Sequence, residues 1–316
     1  MAKIFVRSYS NFAGKWIYEG YAKAFEEIGW QVERYRIGSP LREEELDGNV
    51  VMMTDSDFAN VDSIVSGRGI EAVKRAKHIF LFVSPNRFPD PWGTHPNFVS
   101  QISRNKAAVA NLRELGNITF WTFCNPNEYW SDWGQVEYVP LAYDHLAYES
   151  VQYQRTAEFD VCYIGSRADN GFDSKWKIMK ETFAAFKDSG LKCGFFINKN
   201  LTHEQETNIL RNSKVALNIH DDYQRVLGLD VNERTFKAIG INGLLVSDYG
   251  EQNKQMLELK LPYTAFPNTP DVRELVSRVK DNMNIIDELR QEKREVILAN
   301  HTYVNRVKQL EAFIGS

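Results

Sequence analysis

Hydrophobic residues in the first half of the chain alternate between short continuous runs and stretches with helical spacing. The runs are rich in β-branched and aromatic residues, as strands are, and they predict strands at Lys3–Ser8, Gln31–Arg36, Val50–Thr54, His78–Ser84 and Asn117–Phe123. The intervening helices are predicted at Trp16–Ile28, Ile70–Ala76 and roughly Phe98–Leu115. Strands that alternate with helices of this length indicate a parallel sheet with helices on both faces.

The second half repeats this alternation after an irregular segment, Tyr138–Ala157, which we interpret as a linker. Its strands are predicted at Phe159–Ile164, Leu191–Ile197, Val215–Ile219 and Gly243–Ser247. Its helices are predicted near Ser174–Asp188, His203–Asn212 and Asn232–Ile241, followed by terminal helices around Asp271–Met283 and Ile286–Phe313. The predicted fold class is therefore α/β, with two Rossmann-like domains that face each other across a cleft containing the site.

The composition is that of an ordinary globular protein. Of 316 residues, 43% are hydrophobic and 13% aromatic, which excludes the disordered, collagen-like and coiled-coil classes. The net charge of −4 argues against a protein that coats nucleic acid nonspecifically. No apolar run approaches the roughly 20 residues that span a bilayer, and the N-terminus lacks a signal-peptide pattern. The three cysteines have neither disulfide-framework nor zinc-ligand spacing, so we expect a reducing, cytoplasmic location.

Common motifs of nucleotide and metal chemistry are missing from the sequence. The first strand–turn–helix contains Ser10–Lys15, which is neither a GxGxxG dinucleotide fingerprint nor a Walker A loop. There is no HExxH or GxSxG motif, and the six histidines show no ligand spacing. These absences disfavour dinucleotide oxidoreductases, P-loop NTPases, zinc hydrolases and serine hydrolases.

Three segments from the linker onward resemble GT-B glycosyltransferases. Val136–Asp144 is similar to their interdomain strand and turn, and Phe159–Arg167 to the first strand and glycine turn of their second domain. The third segment resembles their donor-binding block and comprises Val215–His220, Asn232–Ile239 and Gly243–Asp248. Within this fold the segments most resemble the CgeB-like (spore-maturation-protein-type) glycosyltransferases.

The resemblance implies how the domains divide and what they bind. It implies an N-terminal Rossmann-like acceptor-binding domain at residues 1–145 and a C-terminal Rossmann-like nucleotide-sugar-binding domain at 146–295. A terminal helix at 296–316 would pack back on the first domain. The donor substrate would be a nucleotide diphosphate sugar, with no cofactor and no metal required. The acceptor would be a glycan, a protein or a small molecule; nucleic acid stays open but is disfavoured by the weak acidity.

The donor-binding block also suits a diphosphate on physical grounds. A helix that begins near Asn232 presents free backbone N–H groups, which bind phosphate, and Arg234 in its first turn can pair with phosphate through its planar guanidinium. The resemblance implies that Glu233 binds the ribose hydroxyls. The full set of donor-binding candidates is Gly165, Ser166, Arg167, Lys175, His220, Asn232, Glu233, Arg234 and Thr235.

One position departs from the CgeB-like pattern. Lys237 stands where the family usually has a glutamate after the phenylalanine. In related retaining enzymes that acidic residue handles the donor, so the lysine leaves a retaining or inverting outcome open. Either Glu233 substitutes for the missing acid from a neighbouring helical position, or Lys237 binds phosphate.

Candidate catalytic residues in the first half follow a predicted strand. Asp55 and Asp57 come directly after Val50–Thr54. An Asp-x-Asp pair holds a metal ion in GT-A enzymes, but short matches are common by chance, so we assign no metal and favour an acceptor base. His95 lies in the proline-rich segment Pro85–Pro96, which forms either an acceptor-sugar platform or a rigid surface loop.

The predicted function is transfer of a sugar from a nucleotide diphosphate sugar to an acceptor hydroxyl. Asp55, Asp57 and His95 are the catalytic candidates. Alternatives from other classes are a nucleotide-sugar epimerase or hydrolase of GT-B architecture, a DNA-modifying (phage-type) glycosyltransferase, and a non-catalytic nucleotide-sugar-binding protein. The donor base, the sugar, the acceptor and the oligomeric state stay open at this stage.

Overall fold

The computed structural model describes residues 2–10, 12–36, 41–58, 70–99, 106–243, 245–248 and 272–314. The chain divides into two compact units. Unit 1 comprises Met1–Pro140 and Tyr303–Ser316, and unit 2 comprises Leu141–Thr302. The sequence analysis placed these divisions after residues 145 and 295. Each unit has its own parallel sheet.

The described part of unit 1 contains a six-stranded parallel sheet in the order β2-β1-β3-β4-β5-β6. Its strands are β1 (Lys3–Arg7), β2 (Gln31–Tyr35), β3 (Val50–Thr54), β4 (His78–Phe82), β5 (Ile118–Thr122) and β6 (Glu137–Tyr138). Every residue of β3 is buried, as expected for a central parallel strand covered on both faces. The carboxyl ends of β1, β3 and β4 therefore lie along one edge of the sheet.

Helices flank both sheets. Unit 1 contains α1 (Phe12–Glu27), α2 (Glu43–Leu46), α3 (Asp55–Phe58), α4 (Ile70–Val73), α5 (Pro96–Val99), α6 (Lys106–Arg113), a 3-10 helix (Glu128–Trp133) and α14 (Tyr303–Glu311). Unit 2 contains α7 (His145–Tyr148), α8 (Ser174–Asp188), α9 (His203–Arg211), α10 (Asp222–Leu227), α11 (Glu233–Asn242), α12 (Val272–Asp281) and α13 (Ile286–Asn300).

The C-terminal helix α14 completes the core of unit 1 by packing on α1. The ring of Tyr303 is buried edge-on to Tyr21, with 4.9 Å between the ring centroids. Gly20 lies against the same ring, so closely that a Cβ at this position would be 2.5 Å from it. The Arg306 guanidinium donates to the carbonyl of Pro140 at 2.8 Å. Close aromatic packing and this hydrogen bond together fix α14 to unit 1.

The described part of unit 2 contains a four-stranded parallel sheet in the order β10-β9-β7-β8. Its strands are β7 (Phe159–Gly165), β8 (Cys193–Ile197), β9 (Ser213–Asn218) and β10 (Leu245–Ser247). Helices α8 and α12 pack on this sheet over a core that includes Val161, Tyr163, Met179, Phe186, Leu217 and Leu275. Because β7 and β9 are central and apolar, they hold the turns that follow them in a fixed position.

The terminal helix predicted over Ile286–Phe313 is two helices in the structure. Helix α13 ends at Asn300, and α14 begins at Tyr303. Between them Thr302 forms a parallel bridge with Tyr143, whose N–H donates to the carbonyl of His301 at 2.8 Å. The spacing of apolar residues predicts a continuous helix because it carries no information about this tertiary backbone pairing.

Several short elements were not predicted from the sequence: β6, α7, α10 and the 3-10 helix, all of six residues or fewer. They are too short to establish a hydrophobic period. The helix predicted over Phe98–Leu115 lies partly outside the described residues, and α5 and α6 occupy its described ends. The nine longer strands all fall where the sequence predicted a strand.

The three cysteines of the chain form no disulfide bond in the structure. Cys124, Cys162 and Cys193 are free thiols. Burial raises the pKa of the Cys162 thiol to about 12, so this thiol stays protonated and packs as a small apolar group.

Within the described ranges, every helix is too short or too polar to cross a bilayer.

Asp230 is a buried carboxylate in the loop between α10 and α11. It is 1% exposed, and its Oδ2 accepts a hydrogen bond from the Gln224 amide at 2.8 Å. Its Oδ1 has no hydrogen-bond partner among the described residues. Burial raises the pKa of Asp230 from 3.8 to about 6, because the charged form loses its hydration.

We expect Gly20→Ala to destabilise unit 1 although alanine favours helices. The new Cβ would overlap the Tyr303 ring, which is 2% exposed and cannot move aside. Overpacking of this kind costs about 1–3 kcal/mol, more than the roughly 1 kcal/mol gained in helix propensity. Urea unfolding measures the difference. Gly116→Ala is the matched control, since no heavy atom lies within 4 Å of its Cβ position; equal stability of the two variants would contradict the packing argument.

We expect Asp230→Asn to change how stability depends on pH. A carboxyl group whose folded-state pKa is raised stabilises the fold fully below about pH 4, and this contribution is lost as the pH rises through about 6. The amide removes that loss, so the variant should gain up to about 3 kcal/mol at pH 8 and almost nothing at pH 4. Urea unfolding at both pH values checks this, and an equal difference at the two would show that ionisation is not the cause.

Candidate functional site

The sheet of unit 2 has a topological switch point between β7 and β9. The chain leaves β7 for β8 on one side and returns to β9 on the other. In open α/β sheets, ligands bind outside the carboxyl ends of the strands at such a point. Gly165 ends β7 and Asn218 ends β9, so the turns after these two residues form the candidate site.

Arg234 reaches the switch point from the first turn of α11. Asn232 caps this helix by accepting the Thr235 N–H on its side-chain oxygen at 3.2 Å. The Arg234 Nη1 donates to Oδ1 of Asn218 at 2.9 Å, and the guanidinium carbon lies 5.4 Å from the centroid of the Tyr163 ring. A cap, an amide and an aromatic face thus hold the guanidinium at the ends of both strands.

The guanidinium of Arg234 has no carboxylate within ion-pair distance among the described residues, although it is only partly exposed. Gly165 makes room for it, because a Cβ there would be 2.6 Å from Arg234 Nη2. An uncompensated cation in a partly buried place favours an anionic ligand. Three other predicted donor-binding residues lie around this positive group: Gly165 directly against it, and Asn232 and Thr235 through Asn218.

Ser166 and Arg167 follow Gly165 and are exposed. The Arg167 N–H donates to Oδ1 of Asn198 at 3.3 Å, and its guanidinium is 6.0 Å from the Trp176 ring, with no ion pair in the described structure. A cavity of about 350 Å³ opens beside this turn. It is lined by Ile164, Gly165, Ser166, Phe196, Asn198, Lys199, Asn200 and Leu201.

Lys175 lies beneath this turn rather than facing solvent. It is 3% exposed, and its Nζ donates to Asp221 Oδ1 at 2.7 Å and to the Ala168 carbonyl at 3.1 Å. Burial lowers the pKa of this ammonium, against the opposing influence of Asp221. Lys175 therefore ties the loop after β7 to the loop after β9, and its charge is already neutralised.

Glu233 lies on a different side of α11 from Arg234. Its carboxylate is 4.0 Å from Lys237 Nζ, which also binds Glu206 at 2.7 Å. Burial raises the pKa of Glu233, and the neighbouring Glu206 raises the pKa of Lys237 against the effect of burial. Of the two alternatives, phosphate binding by Lys237 fits this arrangement less well, since the lysine pairs with two glutamates, and substitution by Glu233 stays a prediction.

His220 is fully buried after β9 and belongs to a polar network rather than to an open surface. Its Nδ1 is 2.9 Å from Oδ1 of Asp248, and its backbone N–H donates to the same carboxylate at 3.1 Å. Asp248 follows β10 directly, so adjacent parallel strands bring the two residues together. His220 thus lies one contact behind the residues that hold Arg234.

In unit 1, Asp57 is bound to a cation. Its Oδ1 accepts from Arg7 Nε at 2.9 Å, and its Oδ2 accepts the Thr54 N–H at 3.2 Å. Asp57 is 1% exposed and Arg7 is 6% exposed. A buried ion pair of this kind needs both partners, so Asp57 stabilises the end of β3.

Asp55 has the opposite environment. Its carboxylate accepts the Ser84 N–H at 2.8 Å, the Ser84 hydroxyl at 3.3 Å and the Ser56 N–H at 2.7 Å. No cation lies within ion-pair distance among the described residues. Burial raises the pKa of Asp55 to about 6, which suits a carboxylate that accepts a proton near neutral pH.

The 3-10 helix holds the segment that orients Asp55. The indole N–H of Trp133 donates to the Ser84 carbonyl at 2.9 Å, and that of Trp130 donates to the Val83 carbonyl at 3.0 Å. Asn86 N–H donates to the Tyr129 carbonyl at 2.8 Å. Ser84 was not among the residues predicted for the site, and the signal for it was its position at the end of a predicted strand.

His95 directly precedes α5 in the proline-rich segment. Its carbonyl accepts the Phe98 N–H at 2.9 Å, and its ring Nδ1 accepts the Asn97 N–H at 3.2 Å. Trp92 is 6% exposed. These contacts favour a rigid loop over an open sugar platform, although the ring of His95 itself is partly exposed.

Metal ligands do not cluster in the described ranges. No group of three or more His, Cys, Asp or Glu side chains there has metal-binding geometry. The two residues of the Asp-x-Asp pair have separate partners: Asp55 accepts from Ser84, and Asp57 accepts from Arg7.

A second cavity of about 620 Å³ lies in unit 1 at the amino end of β5, away from these strand ends, and its walls include the buried Trp133 and Phe120.

Solved structures share this fold. T4 phage BGT in complex with UDP and Mn²⁺ is 14% identical over 100% of both chains, with a TM-score of 0.53. An alpha-glucosyltransferase (AGT) in complex with UDP is 10% identical over 100% of both chains, with a TM-score of 0.62. An alpha-glucosyltransferase in complex with UDP and a 13-mer DNA containing a HMU base is 11% identical over 99% of both chains, with a TM-score of 0.59.

At these identities the likeness concerns the fold, and it confirms the GT-B α/β class that the sequence predicted. Comparison with curated protein sequences gives no match. The model of a family described as glycosyl transferase-like matches residues 152–312, about half of the chain, including all the donor-binding candidates. The chain therefore belongs to the glycosyl transferase-like family and is a glycosyltransferase of the GT-B fold.

Proposed function

We propose that the chain transfers a sugar from a UDP-sugar and that Arg234 binds the diphosphate. The observation that carries this proposal is the partly buried guanidinium of Arg234, which is held by Asn218 and Tyr163 and lacks a carboxylate partner among the described residues. UDP is the nucleotide bound in the solved structures that share the fold. The matched family and the resemblance to CgeB-like enzymes support the same donor chemistry.

The diphosphate would be held by protein groups alone. The free N–H groups at the start of α11 and the Arg234 guanidinium supply positive charge on one side, and Arg167 supplies it from the turn after β7. These groups are fixed before the reaction, so they stabilise the negative charge that develops on UDP as the sugar leaves. Mn²⁺ accompanies UDP in T4 phage BGT, and the test below therefore includes that ion.

Unit 1 would supply the base. Asp55 accepts only neutral donors and has its pKa raised to about 6, whereas Asp57 is neutralised by Arg7. Asp55 would take the proton of the acceptor hydroxyl as its oxygen bonds to the sugar carbon and the bond from that carbon to UDP breaks. This is a single displacement, which inverts the configuration at that carbon.

A hydroxyl group on DNA is a further candidate acceptor, in addition to hydroxyl groups on glycans, proteins and small molecules. What favours it is the fold shared with the alpha-glucosyltransferase bound to a 13-mer DNA containing a HMU base. The net charge of −4 opposes nonspecific binding but does not oppose a local basic surface.

We expect Arg234→Ala to weaken UDP binding about 10–100-fold, because charge-assisted hydrogen bonds to phosphate contribute roughly 1.5–3 kcal/mol. Isothermal titration calorimetry with UDP, in EDTA and again with Mn²⁺, measures this. Arg155→Ala is the control, since that guanidinium is exposed in the linker and pairs with Glu158. Unchanged affinity in Arg234→Ala would refute the diphosphate site, and affinity abolished by EDTA would refute metal-free binding.

We expect Asp55→Asn to lower turnover about 10²–10⁴-fold, the usual contribution of a general base, while UDP affinity stays the same. Wild-type turnover should rise with pH through about 6, as the carboxyl group loses its proton. The assay follows UDP release from UDP-glucose with water alone, with a glycan mixture, or with a 13-mer DNA containing HMU. A pH profile that persists in Asp55→Asn would assign the base to another residue, and release only into water would indicate a hydrolase.

A further inference from the structure

The direction of the Asn218 side-chain amide determines which of its atoms, the oxygen or the NH₂ group, faces Arg234. Its Oδ1 accepts from Arg234 Nη1 at 2.9 Å and from Asn232 Nδ2 at 3.2 Å. Its Nδ2 donates to Thr235 Oγ1 at 2.9 Å and to Asn232 Oδ1 at 3.1 Å. If this amide turned over, its NH₂ group would face the guanidinium, and two donors would oppose each other.

His220 adjoins the NH₂ side of this amide. It is 0% exposed, and its Nε2 lies 3.4 Å from Asn218 Nδ2. A ring nitrogen accepts a hydrogen bond only when it carries no proton. His220 therefore supports the observed direction of the amide only as the neutral ring with its proton on Nδ1, whereas a proton on Nε2 would repel the NH₂ group.

Asp248 places the proton on the opposite nitrogen. Its Oδ1 is 2.9 Å from Nδ1 of His220, and both carboxylate oxygens accept the His220 backbone N–H at 3.1 Å. A carboxylate at Nδ1 keeps a proton on that nitrogen. Arg225 Nε is 3.5 Å from Asp248 Oδ2, so the carboxylate contacts one cation, Arg225, in addition to the imidazole ring of His220.

The direction of the Asn218 amide agrees with a proton on Nδ1 and none on Nε2. The amide has its oxygen toward Arg234 and its NH₂ toward His220, which is the arrangement that a neutral ring supports.

We propose that Asp248 and His220 are positioning residues for donor binding: Asp248 holds His220 as the neutral Nδ1–H tautomer, and His220 holds the Asn218 amide with its oxygen toward Arg234. This inference rests on the proposed function in so far as Arg234 binds the diphosphate. It adds Asp248 and His220 to the residues that position Arg234.

The tautomer can be measured on the unmodified protein without any ligand. A long-range ¹⁵N–¹H correlation spectrum of the histidine rings shows which nitrogen carries the proton, and the His220 signals are assigned by their absence in His220→Gln. We expect a neutral ring protonated at Nδ1 near pH 7. A ring protonated at Nε2, alone or together with Nδ1, would overturn the proposal.

A double-mutant cycle measures the connection to Arg234. Asp248→Asn keeps the side-chain volume but removes the charge that fixes the tautomer, and we expect it to weaken UDP binding about tenfold in calorimetry. In the Arg234→Ala background the same change should alter the affinity less than about twofold, because the residue being positioned is gone. An equal loss in both backgrounds, or no loss in either, would refute the positioning role.

The two parts of the experiment separate this inference from the proposed function. If Arg234→Ala alone leaves UDP binding unchanged, the proposed function fails, whatever the tautomer of His220. If Arg234→Ala weakens binding but Asp248→Asn does not, the proposed function stands and the positioning role fails. Asp248→Glu serves as the conservative variant: a restored Nδ1–H signal with recovered affinity supports the proposal, and a restored signal without recovery contradicts it.

Discussion

The partly buried guanidinium of Arg234, which has no carboxylate partner among the described residues, organises the site in unit 2. Desolvating a cation costs free energy unless other groups compensate for the lost water. Arg234 receives an amide oxygen from Asn218, the face of the Tyr163 ring and a close approach to Gly165. These groups are neutral, so they fix the orientation of the guanidinium without compensating its charge. The charge therefore stays available to an anionic ligand.

Three other cations near this site have carboxylate partners among the described residues. Lys175 pairs with Asp221, Arg225 with Asp222 and Lys237 with Glu206. Ion pairs of this kind join loops and helices to one another, and their charges are compensated within the fold. The same division appears in unit 1, where Asp57 pairs with Arg7 while Asp55 accepts only from neutral N–H and O–H groups. Fold-stabilising charges and chemically available charges can thus be told apart by their partners.

Hydrophobic periodicity was sufficient to predict the alternation of strands and helices, because parallel strands covered on both faces are continuous apolar runs. It was insufficient for the break between α13 and α14, which depends on pairing between Thr302 and Tyr143. The donor-binding block predicted Arg234 as a donor-binding residue, and the structure places its guanidinium at the switch point, while its role in binding the donor stays a prediction. Lys175 was also a candidate, and only the structure shows that it is buried against Asp221. Partners distant in sequence, such as Asp248 for His220, leave no local signal.

Lys237, at the position where the CgeB-like pattern has a glutamate, has a physical consequence beyond its own position. Lys237 is nearly buried between Glu206 and Glu233, so a glutamate at this position would place a third carboxylate beside the other two. Like charges in a buried place raise one another's pKa values and destabilise the fold. Lys237 and Glu206 therefore compensate each other's charge within the fold. The proposed displacement, with Asp55 as its base, does not depend on an acid at position 237.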